Sequence, residues 1–228
     1  MNKVLPLLTL LGMSITAQAQ LDLGGKAGLN YHFQSTALGD KAPAGSSEPE
    51  AMDGLGFHVG AFAQFGLSDK IFLRPELLYS TRTGTEKVYS SLEVLGITTV
   101  LDYESKGTLS YLELPVMLGF RLSDKVSLLA GPALGFLMNN KVVVSGTTSV
   151  TTGGQTVTTS LDETTNSTDG LNTTEVAGVV GLGYRADNGL DIGLRYWRGF
   201  TTLEENTDLS KTYQNMLQFS VGYAFLRN

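Results

Sequence analysis

The stretch "MLQFSVGYAF" near the C-terminus alternates with period two. Leu217, Phe219, Val221, Tyr223 and Phe225 fall on one face; Gln218, Ser220, Gly222 and Ala224 fall on the other. Successive side chains of a β-strand point to opposite sides, so the pattern makes a ribbon with one apolar face. "GLDIGLRY" repeats it, with Leu190, Ile192, Leu194 and Tyr196 opposed to Asp191, Gly193 and Arg195, and "YLELPVMLGFRL" sets Leu112, Leu114, Val116, Leu118 and Phe120 against Glu113, Met117, Gly119 and Arg121. Eight such segments occur, near 21–34, 54–67, 70–82, 108–122, 125–138, 174–186, 189–201 and 212–226. Each is long enough for the roughly 9–11 residues that a tilted strand needs to cross a bilayer, whereas after Ala19 no apolar run approaches the ~20 of a spanning helix.

The connections alternate in length. "LSDK" (67–70), "LSDK" (122–125) and "ADNG" (186–189) are tight turns, and the segments 35–53, 83–107, 139–173 and 202–211 are longer polar loops. Short turns at one end and long loops at the other are the layout of an outer-membrane barrel. The expected fold is therefore all-β: an eight-stranded antiparallel up-and-down transmembrane β-barrel, with both termini periplasmic because the strand number is even. Its apolar side chains face lipid, since a closed barrel satisfies its own backbone hydrogen bonds. Aromatic residues of outward parity fall in two belts. Phe65, Phe120, Tyr184, Tyr223 and Phe225 lie near the short-turn end, and Tyr31, Phe33, Phe57, Tyr79 and Tyr196 near the long-loop end. The soluble alternative, an eight-stranded ligand-binding barrel, keeps its large apolar residues inside; here charged residues share a face with glycine and alanine instead.

The N-terminus carries Lys3, an apolar run from Val4 to Ile15, and Ala17-Gln18-Ala19. This is the pattern of a cleaved secretory signal, so residues 1–19 are expected to be removed and 20–228 to form the barrel domain. The chain has no cysteine, which excludes a disulfide framework, thiolate chemistry and lipid attachment at a cysteine. A net charge of −6 argues against binding the nucleic-acid backbone. Pro75, Pro115 and Pro132 fall inside three consecutive strands at similar height, where proline removes a ladder donor; a shared kink or bulge is expected there.

"KAGLNY", "FHVGAFAQF", "RPELLYS", "YLELPVMLGF", "AGPALGFL", "DIGLRYWRG" and "QFSVGYAF" together resemble the outer membrane beta-barrel family of Bacteroidetes, often labelled porin-family or PorT-like. The strongest marks are Tyr-x-Glu-x-Pro at Tyr111–Pro115 and Ala-Gly-Pro at Ala130–Pro132. The resemblance implies an eight-stranded outer-membrane barrel and no settled activity; one branch of the family assists protein secretion.

An eight-stranded barrel has an interior only wide enough for side chains. Parity sends Lys26, His58, Gln64, Arg74, Glu76, Glu113, Arg121, Glu175, Arg185, Asp191 and Arg195 inward. The expectation is a salt-bridged plug that neutralises buried charge, with a gated ion path as the functional alternative. His32 and His58 share inward parity near the long-loop end, where a metal pair or a general base would sit, yet no third ligand or nucleophile motif accompanies them. No catalytic residue, metal or cofactor is therefore assigned, and a lipid-modifying enzyme ranks last. "TTSVTTGGQTVTTS" (147–160) reads as two Thr/Val arms about Gly153-Gly154, a hairpin signal that would extend the fifth and sixth strands, and 90–103 repeats it about Leu95-Gly96. From Ser145 to Thr174 there is no Lys or Arg, and all four long loops are net acidic. Outer-membrane lipid is one expected partner, reached through bridging cations or rim arginines such as Arg82 and Arg198. A protein or glycan at loops 83–107 and 139–173 is the other. The sequence thus points to a structural or interaction role at the cell surface, with a narrow channel or a secretion component as alternatives.

Overall fold

The computed structural model describes residues 21–46 and 51–227; the leader and its cleavage point after Ala19 lie outside the described residues. Nine strands follow one another: β1 (Leu21–Leu38), β2 (Asp53–Gly66), β3 (Ile71–Val94), β4 (Ile97–Arg121), β5 (Val126–Thr152), β6 (Gln155–Asn166), β7 (Thr174–Arg185), β8 (Leu190–Thr202) and β9 (Ser210–Leu226). All paired neighbours run antiparallel. β1 bonds both β2 and β9, and the β4–β5 pairing completes a ring of eight from which only β6 is left out. The chain is an all-β, eight-stranded up-and-down barrel, as the alternation requires.

Alternation decides what faces where. On β8, Asp191, Arg195 and Trp197 are buried, whereas Leu194 is 55% exposed. Leu182, Leu194 and Phe219 stand opposite one another across three strands, each about half exposed. Such rows make an outward apolar band that water does not favour and hydrocarbon does. We expect Leu194→Arg to cost about 2–4 kcal/mol if this row lies near the bilayer midplane. Chemical unfolding from lipid vesicles measures this; an unchanged free energy would place the row outside the hydrocarbon. Of the aromatic belts, the long-loop one is packed: Tyr31–Phe33, Phe33–Tyr196 and Phe57–Tyr79 centroids lie 6.0, 6.4 and 6.1 Å apart.

The proline expectation is corrected as to a bulge. Pairing is skipped beside Pro75 between Phe62↔Glu76 and Phe65↔Leu73, and beside Pro115 and Pro132 between Pro115↔Ala133 and Leu118↔Ala130. Register is the same on either side of each gap, so no residue is inserted and these are not bulges. The ladder opens locally where proline has no N–H to give.

The hairpin expectation is corrected in one respect. β3, β4 and β5 continue well past the ring, and β6 folds back on β5 to make a four-stranded projecting sheet. β6 stops at Asn166 rather than running into β7, and Leu171 only bridges to Glu204 before β7 begins. Both tips turn as the sequence suggests. Leu95 and Gly96 have φ of 52° and 76°, and Gly153 and Gly154 have 58° and 78°. These are the positive values that two-residue hairpin turns demand.

Candidate functional site

Two features stand out: the filled lumen and the projecting sheet. The lumen holds two tiers of charge. In the tier toward the short turns, Arg185 joins Asp22 (2.6 Å) to Asp191 (2.9 Å). Arg74 grips Asp191 with both terminal nitrogens, at 2.9 and 2.7 Å, and donates Nε–H to Glu76 at 2.8 Å. Glu76 also accepts from Lys26 at 3.1 Å and from both terminal nitrogens of Arg195, at 2.6 and 2.7 Å. In the second tier Arg82 donates to Glu113 (2.9 Å), Glu175 (2.7 and 3.0 Å) and Gln214 (3.0 Å). Gln214 then donates to the Tyr111 hydroxyl, and Gln218 to Glu113. Five cations meet five carboxylates. Paired, bidentate geometry is what allows charge to sit in so dry a place.

The charged side chains come from β1, β3, β4, β7 and β8. Among them is packed an apolar cluster of Phe72, Met117, Leu129, Ala133, Ala177, Val179, Trp197 and Met216. Phe62 and Phe72 lie over Gly24 and Gly119 of the neighbouring strands, where an added Cβ would come within 2.2 and 2.1 Å of the rings. The glycines thus make room for rings that support guanidiniums: Arg74 stands 4.0 Å from the Phe62 centroid and Arg185 5.3 Å. Between the tiers, Asn30 donates to Ser80 and to the carbonyls of Phe57 and Thr81, and its Oδ1 lies 2.7 Å from His58 Nδ1. Buried charged and apolar side chains thus share the interior.

The residues read from parity are thus distributed unevenly. Lys26, Arg74, Glu76, Arg185, Asp191 and Arg195 share one network, and Glu113 and Glu175 share another with Arg82. Arg121 does not join either. It stands at the short-turn mouth, donating to the carbonyls of Ser68 and Asp69 and lying 5.3 Å from the Phe72 ring, because β4 ends there and turn carbonyls are nearer than any carboxylate. That mouth opens into a funnel of about 640 Å³. At its rim Lys125 donates to Asp187 at 2.7 Å, which raises the lysine pKa; both are exposed, so the pair adds little stability. His32 and His58 are not brought together. His58 is committed to Asn30, whereas His32 lies four positions further along β1 than Gly28, the residue that faces His58. Among the described residues, no three His, Asp or Glu are grouped to hold a metal.

The projecting sheet is amphipathic. Paired rows read Val94–Ile97–Thr152–Gln155, Leu92–Thr99–Val150–Val157, Ser90–Leu101–Thr148–Thr159 and Val88–Tyr103–Gly146–Leu161 on one face. Intervening rows, such as Glu93–Thr98–Thr151–Thr156 and Lys87–Glu104–Ser145–Asp162, carry hydroxyls and charge. The apolar rows continue the inward parity of Arg82 on β3 and Leu109 on β4, so they face the space over the barrel mouth. On β5 a bulge is needed for this: Tyr111 pairs with Leu137 but Ser110 with Asn139, and Met138 is stepped over. The shift moves inward parity from odd to even residues, sending Val142, Val144 and Val150 to the inner face.

The family described as "Outer membrane protein beta-barrel domain" matches residues 16–205. No curated protein matches the sequence. Among solved structures, the attachment invasion locus protein Ail of Yersinia pestis, in complex with the heparin analogue sucrose octasulfate, is 13% identical. The match covers 90% of this chain and 99% of Ail, with a TM-score of 0.41. Neisserial surface protein A is 15% identical over 89% of this chain and 97% of its own, at 0.40, and Acinetobacter baumannii CarO 10% identical over 87% and 97%, at 0.36. With its closed ring, outward apolar band and matched sequence, the chain belongs to the outer membrane protein beta-barrel domain family and is an outer membrane β-barrel protein.

Proposed function

We propose that this protein is a closed, non-enzymatic cell-surface barrel whose working part is the projecting sheet. Residues 1–19 are its cleaved leader, the short turns and both termini face the periplasm, and the long loops face outward. The Tyr111–Pro115 and Ala130–Pro132 elements support placing it with the PorT-like barrels of Bacteroidetes. The lumen network serves to neutralise buried charge. The observation that carries the reading is the outer edge of β6. Among the described residues this twelve-residue strand pairs only with β5. It contains no Lys and no Pro and has no bulge, and these are the devices by which proteins keep exposed edges from pairing. An edge left open over that length suits an extended segment of a protein partner, which adds a strand by main-chain hydrogen bonds. Asp162 and Glu163 on β6 favour a basic segment.

Replacing residues 146–161 by Asn-Gly tests this, because Ser145 and Asp162 already stand opposite each other. Cells displaying the shortened barrel should keep a heat-modifiable band on SDS gels yet lose binding to immobilised extended basic peptides. The intact protein should show no conductance steps in planar bilayers. Unaltered binding after excision would remove the sheet from recognition, binding to glycan probes alone would change the partner class, and conductance steps would make the protein a narrow channel.

A further inference from the structure

A cavity of about 220 Å³ sits on top of the plug, at the foot of the projecting sheet. Its walls are largely apolar, among them Met52, Leu109, Val142, Leu171 and Leu203. His32 projects into it. That side chain is 1% exposed, and neither ring nitrogen has a hydrogen-bond partner. The imidazole lies near the Thr83 backbone, but relaxation onto that carbonyl would satisfy one nitrogen and leave the other bare. Arg82 Nε, on the floor of the same cavity, is also unpartnered. Buried polar atoms without partners are uncommon in folded proteins, and each demands a cause. Three of them, beside Gln34, Ser105 and Asn140 on a mostly apolar lining, describe the polar end of a ligand site.

The second observation is what the cavity opens onto. The inner face of the sheet rises from Val142 through Leu161, Leu101, Val150 and Val157 to Leu92 and Val94, and several of these are strongly exposed: Leu92 64%, Val157 68%, Val94 53%. From Gly84 to Val94 this stripe runs ten residues, roughly 33 Å at the strand rise. The cavity is smaller than the roughly 300–1,000 Å³ of sites that enclose a whole drug-sized ligand. It therefore holds a headgroup and the start of a chain, and the chain continues along the sheet. Charge selects the head. Arg82 is the only cation lining the cavity among the described residues, and it is already held by Glu113 and Glu175, with Glu86 on the wall. An anionic head would meet carboxylates; a hydroxyl or ester carbonyl would meet an imidazole and a free N–H.

We propose that the long-loop mouth of the barrel binds an uncharged single-chain amphiphile of the monoacylglycerol type, with its head at His32 and its acyl chain laid along the apolar face of the projecting sheet. The site ends blindly on the Arg82 plug, so it retains the amphiphile rather than passing it. This assignment uses the inner face of the sheet and does not depend on partner binding at its edge.

The test uses the protein in phosphatidylcholine nanodiscs with ¹⁵N-labelled histidine, of which there are two residues. Titration with 1-monolauroylglycerol should shift the His32 ring nitrogens saturably, in proportion to protein rather than to lipid. His58, held by Asn30, should stay in place. Leu92→Ser with Val157→Ser changes only exposed side chains and should weaken the apparent affinity by about tenfold. Laurate at pH 8 should compete poorly. A silent His32 would overturn the site. An unchanged affinity in the sheet variant would overturn the chain's path, and laurate binding as well as the neutral ester would overturn the ligand class. If the sheet variant instead converts a dimer to a monomer in sedimentation while His32 stays silent, the face is covered by a second copy and the proposal fails.

Discussion

Glu76→Gln is expected to destabilise the barrel by about 3–5 kcal/mol, the usual cost of removing one partner from a buried ion cluster. Both carboxylate oxygens of Glu76 are in use, taking Arg74 Nε and one Arg195 nitrogen on one side, Lys26 and the other Arg195 nitrogen on the other. The glutamine keeps one acceptor and turns an NH2 toward groups that only donate. Arg74 retains Asp191, but Glu76 is the sole carboxylate paired with Lys26 and Arg195 among the described residues. Urea unfolding of the lipid-reconstituted protein, followed by the mobility shift on SDS gels, gives the free energy. The double variant Glu76→Gln with Arg195→Gln removes charge of both signs. It should recover part of the loss, with a coupling of about 0.5–3 kcal/mol. A single-variant loss below about 1 kcal/mol would mean that water reaches the cluster and hydrates the stranded cations.

The period of two makes most of this lumen legible in the sequence alone. A one-residue slip would turn every side chain of a strand to the other face, so alternation alone sends Arg74, Glu76, Glu113 and Asp191 inward. What alternation does not carry is height. Arg74 meets Asp191, 117 positions away, across the interior rather than along a ladder, and such partners depend on the stagger of the closed ring. Arg82 looks like a rim residue because the sequence turns polar just after it; the strand in fact continues to Val94, which places Arg82 inside, on Glu113 and Glu175. Asp22 escapes a parity reading because it stands at the very start of β1, whereas parity does put Gln218 on the inward face and leaves only its partner, Glu113, unread. The β5 part of the sheet's apolar face is hidden by the Met138 bulge. Parity carried straight through from Leu137 puts the valines of β5 on the wrong side.

The upper tier distinguishes charge kept for stability from charge kept to close the barrel. Arg82→Met leaves Glu113 and Glu175 buried against each other with no cation, and we expect it to yield no heat-modifiable barrel, a loss of at least about 3–5 kcal/mol. The triple variant Arg82→Met, Glu113→Gln, Glu175→Gln removes all three charges and keeps side-chain volumes close. Replacement of a whole buried ion cluster by neutral groups is often tolerated where breaking it is not, so the triple variant should fold and show the gel shift. It should also remain electrically silent in planar bilayers, because Tyr111, Trp197 and Met216 are each no more than 1% exposed and still fill the section. Folding with conductance would assign the closing role to the ions themselves. Failure of the triple variant to fold would mean that the Arg82 contacts to the Tyr111 ring at 4.2 Å and to the Gln214 amide oxygen matter more than neutralisation. The charges of this lumen follow from closure: eight strands leave an interior that side chains must fill, and whatever charge is placed there must arrive with its partner.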